Sequence, residues 1–160
     1  MIYYSYIQSP VGPIEISGDD DFVCVVSFVE QIKADTEFLP KVIRDARQQL
    51  EEYFAGTRKE FSLSLSQSGT DFQRLVWSEL VNIPFGKTTS YLQLAKNIGD
   101  AKSIRAVGSA NGRNNLAIIV PCHRVIGSNG TLVGYAGGLD RKKWLLDFEA
   151  RCTGQQMLDL

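Results

Sequence analysis

The chain has 160 residues, 44% of them hydrophobic and 22% charged, and its 17 Lys+Arg against 18 Asp+Glu leave a net charge of −1. This composition suits one compact unit or two small ones and excludes disorder, collagen and coiled coil. The longest nearly apolar run, residues 22–29, falls far short of the ~18 residues of a membrane span, and the N-terminus shows no secretory pattern.

In chain order, residues 2–8 and 14–17 read as strands around the turn Ser9-Pro10-Val11-Gly12-Pro13. Residues 22–29 read as a buried strand. From Pro40 to Phe54, Val42, Ile43, Ala46, Leu50, Tyr53 and Phe54 recur at three- and four-residue steps. That is one helical stripe, with Pro40 near its start and Gly56 just past its end. A short strand is expected at 61–65, and the polar stretch Ser66-Gln67-Ser68-Gly69-Thr70 marks a boundary.

The second half opens with a predicted helix from Asp71 to about Asn82, stopped by Pro84 and Gly86. Ser90 is placed to cap a short helix over 91–97, Gly99 permits a tight turn, and a further helix runs over 101–110. Two short helices joined through a glycine turn outline a helix-turn-helix. An apolar run at 116–120 leads to Pro121-Cys122-His123-Arg124, and a Gly-rich region at 127–138 precedes a final helix over 140–150. Charge is unevenly divided. Residues 1–69 hold six Lys/Arg and eleven Asp/Glu, a balance of −5, whereas residues 70–150 hold ten and six, a balance of +4. That asymmetry hints at a polyanion-facing second half.

The three cysteines, Cys24, Cys122 and Cys152, are an odd number without metal-like spacing. A disulfide framework and a metal site are therefore not expected, and a reducing compartment is. We expect a cytoplasmic protein, or a nuclear one if its source is eukaryotic. The single histidine, His123, adjoins Cys122. A thiol needs a base to become a nucleophile, and an imidazole can take its proton directly or through a water. Glu149 is the best acidic candidate to orient the imidazole. Neighbours on a regular strand face opposite sides, so the pair needs an irregular backbone, which Pro121 and Gly127 can supply.

The block at residues 121–127 (Pro-Cys-His-Arg-Val-Ile-Gly), followed by Gly130, Gly134-Tyr135-Ala136-Gly137-Gly138, Leu145-Leu146 and Glu149, closely resembles the methylated-DNA–protein-cysteine methyltransferases. Ile83-Pro84-Phe85-Gly86, Ser90-Tyr91, Leu94-Ala95, residues 105–110 and Asn114 match the same family in order and spacing. The resemblance is strong over residues 70–150 and only an outline over the first 69. It implies an α/β protein with two parts. Residues 1–69 would form a small ribonuclease H-like sheet-plus-helix domain. Residues 70–160 would form a mainly helical, winged-helix-like alkyltransferase and DNA-binding domain.

The resemblance also implies roles. Cys122 would take the alkyl group from oxygen-6 of guanine, with oxygen-4 of thymine left open as a second donor, once the nucleotide is flipped out. His123 would deprotonate it, Glu149 would hold the imidazole, Asn114 would be the hinge, and Tyr91 would protonate the departing guanine. Arg105 would fill the space left by the base, with Ser90, Tyr91, Ala106, Gly108 and Arg124 also facing DNA. Val125, Tyr135, Ala136 and Gly137 would line the pocket, and the Cys122 and Val125 carbonyls would accept from the exocyclic amine. The alkyl group stays on sulfur, so each molecule acts once, with no cofactor. The partner is alkylated double-stranded DNA, bound by a monomer with no obligate protein partner and no membrane, more weakly as salt rises.

Three rival readings fit the chain less well. An alkyltransferase-like damage binder would lack the cysteine that is present. A cysteine hydrolase would need an oxyanion hole, and a purely structural DNA-binding domain leaves the Cys-His-Arg block unexplained. One departure stands out: Asn115 follows the hinge asparagine where many relatives carry proline, which would stiffen the loop.

Overall fold

The β-rich N-terminal segment folds as an antiparallel meander of β1 (Tyr3–Ser9), β2 (Gly12–Gly18) and β3 (Val23–Phe28), in that order. The computed structural model describes residues 1–154. The register sets Ile7 opposite Ile14 and Ile16 opposite Val26, so these four buried side chains line one core. Helix α1 (Lys41–Phe54) closes that core with Ile43, Ala46, Leu50 and Tyr53, the inner part of the stripe legible in the sequence. Arg47 Nη1 donates to Asp35 Oδ2 (2.6 Å) and to Ser5 Oγ (3.1 Å), while Asp35 Oδ1 accepts the Tyr6 N–H (2.9 Å).

The strand expected at 61–65 is only a single parallel bridge between Val23 and Leu65. Two segments share the edge of β3. Residues 64–66 hold Val23 through two hydrogen bonds of 2.9 and 3.0 Å. Farther along, Val26 donates to the Asn115 carbonyl (2.8 Å) and accepts from the Ala117 N–H (3.0 Å). The chain accordingly divides into two compact units, one of Met1–Ser68 with Asn115–Ile119, the other of Gly69–Asn114 with the chain from Val120 on. A boundary drawn at residue 70 would leave residues 115–119 in the second unit. Asn115 also donates its N–H to Gln67 Oε1 (2.8 Å), a bond that proline could not make. Within this segment Ile118 holds φ 71°, a left-handed conformation that strains a β-branched residue.

The second unit begins with α2 (Asp71–Leu80), whose start is a full capping box between Thr70 and Gln73. Its Trp77 indole donates to the Ala110 carbonyl (2.8 Å) in α4 (Ile104–Gly112). Between them lie β4 (Thr89–Ser90), α3 (Tyr91–Asn97) and a 3₁₀ turn at Ala101–Ser103. Strand β5 (Val125–Ile126) pairs in parallel with β4, and α5 (Leu139–Cys152) ends the described chain. Helix α5 buries Lys142, Asp147 and Glu149 together with Leu145, Leu146 and Ala150. Buried charge on one helix is rare unless partnered, and it directs attention to what faces α5. Among the described residues, no helix is long and apolar enough to cross a membrane. Nor is any group of three or more His, Cys, Asp or Glu placed there to hold a metal ion.

Candidate active site and DNA-facing helices

The irregular backbone that Cys122 and His123 require is present. Pro121 sits at φ −82°, ψ 63°, and the Cys122 N–H donates to the Val120 carbonyl at 2.8 Å. That is an inverse γ-turn. It feeds a 3₁₀ turn at Cys122–Arg124 in which all three residues are buried. His123 Nε2 lies 2.7 Å from Glu149 Oε2, both side chains fully buried. A carboxylate can only accept, so Nε2 carries the hydrogen and Nδ1 is left as the proton acceptor. Among the described residues, no protein atom partners that buried Nδ1.

Glu149 is held by more than the imidazole. Arg124 Nε donates to Oε1 (2.8 Å), Arg124 Nη2 to Oε2 (3.0 Å), and the Gly86 N–H to Oε1 (3.1 Å). Gly86 reaches that position at φ 80°, and a Cβ there would stand 2.7 Å from Thr153 Cγ2. The glycine that ends the α2 segment is thus also required by close approach. Burial by itself would raise the Glu149 carboxyl, but His123 and Arg124 outweigh it and hold it well below the usual carboxylate range. Burial pushes His123 below its usual 6.5 against the upward pull of Glu149, and Arg124 and Lys142 add to the push. The imidazole is therefore neutral at pH 7.

Burial also pushes the Cys122 thiol up, while an Asn114 hydrogen bond and the Lys142 cation draw it down. Net protonation of the thiol makes a nearby proton acceptor necessary rather than optional. Asn114 Nδ2 donates to the Val120 carbonyl (2.8 Å), so one amide ties the end of α4 to the turn that aims Cys122. Asn111, not singled out in the sequence, donates from Nδ2 to the Cys122 carbonyl at 3.3 Å, which also accepts the Val125 N–H. That carbonyl thus already accepts two hydrogen bonds within the protein.

Around the sulfur stand Tyr91, Tyr135 and Lys142. The half-buried Tyr91 donates its hydroxyl to the Val133 carbonyl (3.1 Å), and burial raises its pKa. Tyr135 is half-exposed as a residue, but its hydroxyl end is buried and its pKa stands well above 10.0 for that reason. Lys142, missed in the sequence, donates from Nζ to the Val133 (2.9 Å) and Gly134 (3.0 Å) carbonyls. Burial lowers its pKa to about 8. Lys142→Met is expected to loosen the 133–134 turn and slow Cys122 alkylation by iodoacetamide at pH 7 by roughly tenfold. Peptide mapping of the labelled protein against time would test it.

Helices α3 and α4 form the expected pair. Ser90 Oγ accepts the Gln93 N–H (3.0 Å) to cap α3, and Gly99 turns the chain at φ 107°. Arg105 and Ala106 are exposed on the first turn of α4, beside Ile104 at 36% exposure. Gly108 sits on the same helix, 3.9 Å from the Tyr91 ring if given a Cβ. Val125 is fully buried after the 3₁₀ turn, whereas Ala136 is exposed and Gly137 half-buried in the 127–138 loop.

Residues 71–151 match the 6-O-methylguanine DNA methyltransferase, DNA binding domain, and residues 2–67 match that family's ribonuclease-like domain. A methylated-DNA–protein-cysteine methyltransferase of Methanosarcina acetivorans is 48% identical over 94% of this chain and 100% of its own. One from Mycobacterium bovis is 46% identical over 93% of both chains. A crystal structure of Mycobacterium tuberculosis O6-methylguanine methyltransferase superposes with a TM-score of 0.84 at 44% identity, covering 94% of both chains. A structure of the Mycobacterium tuberculosis OGT in complex with DNA gives 0.84 at 45% identity over 93% of both. The chain belongs to the methylated-DNA–protein-cysteine methyltransferase family.

Within this family member, Cys122, His123, Glu149, Asn114 and Tyr91 all lie in the second unit. One placement is corrected. Arg124, read as a DNA contact, is 5% exposed, with its guanidinium given to Glu149 and, through Nη1, to the Ile83 carbonyl (2.7 Å). It also stands over the Phe85 ring at 5.7 Å. A side chain so enclosed has no charge to offer a phosphate. Arginines in a basic half look alike in sequence, and only the fold shows which one is enclosed.

Proposed function

We propose that this chain repairs DNA by moving a methyl or other alkyl group from oxygen-6 of guanine to the Cys122 sulfur, irreversibly. The observation that carries the reading is the buried His123, fixed through Nε2 on Glu149 with Nδ1 left as acceptor, directly following the free Cys122 thiol. Support also comes from relatives named methylated-DNA–protein-cysteine methyltransferase and from the Mycobacterium tuberculosis OGT solved with DNA.

His123 Nδ1 takes the thiol proton, directly or across a water, and the sulfur attacks the alkyl carbon. The carbon–oxygen bond breaks, its electrons pass into the purine, and a carbon–sulfur bond replaces it. Tyr91 gives the purine a proton once its hydroxyl leaves the Val133 carbonyl, which Lys142 continues to hold. The imidazolium formed in the first step rests against Glu149. Val125, Tyr135, Ala136 and Gly137 wall the base, and Asn114 keeps the Cys122 turn in place. The thioether is stable, so the protein is a single-turnover methyltransferase.

The target oxygen is hidden inside a duplex, so the nucleotide is flipped out at a cost of a few kcal/mol. The exposed Arg105 enters the stack to offset part of that cost, with Ser90, Tyr91, Ala106 and Gly108 along the DNA. The first unit, residues 1–68 with 115–119, acts as the ribonuclease H-like domain, and the second, residues 69–114 with the chain from 120 on, as the alkyltransferase and DNA-binding domain. Three free cysteines fit a reducing cytoplasm, where a reactive thiol survives. Intact mass measured after mixing with a methylated oligonucleotide tests the reading. One methyl retained on Cys122 supports it, and an unchanged mass refutes it for that lesion.

Arg105→Ala is expected to slow repair of duplex DNA by roughly tenfold or more while leaving reaction with free alkylated guanine near its original rate. Equal losses with both substrates, followed as transfer to protein over time, would contradict its role in the stack.

A further inference from the structure

Arg124 is a charged group at the site that is too buried to meet DNA, and nothing in the transfer step uses it. Its five N–H donors are largely committed: Nε and Nη2 grip both oxygens of Glu149, and Nη1 holds the Ile83 carbonyl. The fork lies over Phe85, so its plane and direction are set from a second side. Through it, the carboxylate on α5 is locked to the 83–86 turn and to the 3₁₀ turn that bears Cys122. Glu149 in turn meets His123 at 2.7 Å.

We propose that Arg124 is a positioning residue that aims Glu149 at His123 and, by sharing that carboxylate's charge, keeps the imidazole neutral and ready to accept the thiol proton. This rests on the reading of Cys122 as acceptor and His123 as base. A bidentate Arg–carboxylate pair is both geometrically rigid and charge-compensating. Without the guanidinium, an uncompensated carboxylate would draw a proton onto the imidazole in the resting protein. A protonated imidazole has no lone pair for the thiol.

The other charged or titratable groups facing the imidazole are accounted for. Cys122 and Arg124 share its turn, Glu149 and Lys142 come from α5, and Tyr135 comes from the 127–138 loop. Lys142 opposes imidazole protonation as Arg124 does, but it is held on the Val133 and Gly134 carbonyls rather than on Glu149. Only Arg124 both repels a proton on His123 and cancels the charge that attracts one.

The test compares rates of methyl transfer to Cys122 from pH 5 to 9 in wild type, Arg124→Gln and Arg124→Lys. Arg124→Gln keeps a hydrogen-bond donor but no charge. At pH 5.5 it should fall to about a tenth of its own rate at pH 8, where wild type retains most of its rate. Arg124→Lys keeps the charge but not the fork, so it should be slower at every pH with its acid limb unmoved. Equal slowing of both variants at all pH values, or a rate sustained at acid pH by Arg124→Gln, would overturn the assignment. Because His123 is the only histidine, nitrogen NMR of wild type needs no variant to fold. It should show a neutral ring with the hydrogen on Nε2 below pH 6.5, and protonation at or above 6.5 would also overturn the assignment. Failure of wild type to gain a methyl on Cys122 would instead refute the underlying reading.

Discussion

Cys122→Ala is expected to abolish methyl transfer completely while leaving binding to alkylated DNA within about twofold of wild type. The reason lies in how the residue is placed. Apart from the thiol's hydrogen bond with Asn114, the turn is held by backbone groups: the Cys122 N–H on the Val120 carbonyl, and the Cys122 carbonyl accepting from Val125 and Asn111. Alanine preserves all of these backbone bonds and removes the sulfur with its one bond to Asn114, whose Nδ2 still holds the Val120 carbonyl. The side chain is small, so the loss of packing at this buried position is modest. Intact mass reads transfer and a fluorescence-anisotropy titration reads binding. Any methyl retained by the variant would move the acceptor elsewhere, to Cys24 or Cys152, and loss of binding in a folded variant would give the thiol a second task.

Glu149→Gln should be nearly as severe and should damage the fold as well. Four donors converge on the carboxylate: His123 Nε2, Arg124 Nε and Nη2, and the Gly86 N–H. A glutamine offers one acceptor oxygen and an amide group whose hydrogens meet other donors. Breaking a buried pair so that one charge is left uncompensated costs about 3–5 kcal/mol. The melting temperature is then expected to fall on the order of 10 °C. Transfer should slow by about 10²–10⁴, because the imidazole loses the contact that fixes its hydrogen on Nε2. A calorimetric scan and single-turnover rates below the variant's melting temperature separate the two effects. A variant that melts like wild type would show that the buried carboxylate is not the centre of this network.

Acid should act in the same direction as that substitution. His123 has its folded pKa lowered, so below the unfolded value of 6.5 the unfolded chain binds a proton that the folded chain refuses. Stability carried by the neutral ring is present above that pH and is lost as pH falls through the window beneath it. The depressed Glu149 carboxyl adds stability that is fully present above the ordinary carboxylate range and is lost progressively as pH falls below it.

Much of the local structure was legible because its causes are local. The stripe ending at Phe54 gives α1, the polar stretch ending at Thr70 precedes α2, and the Ser90 hydroxyl caps α3, each signal within a few residues of its helix. Cys122, His123 and Glu149 were legible as chemistry, since a thiol, a base and an acid are recognisable by type. The edge of β3 was not legible. Segments distant in sequence share it, residues 64–66 at Val23 and residues 115–117 at Val26, with two hydrogen bonds each. Asn111 and Lys142 were passed over because a buried amide and a buried ammonium look like surface residues until their partners are known.

The sequence by itself determined that this chain carries a nucleophile with a base beside it on an irregular turn, because turn residues and side-chain chemistry act at short range. Only the tertiary structure decided which charges serve that base. Burial removes water from Arg124, Lys142 and Glu149, and in that drier setting every charge must find its partner across the fold. Arg124 thereby passed from an expected phosphate contact to the partner of Glu149, a change that no spacing along the chain encodes.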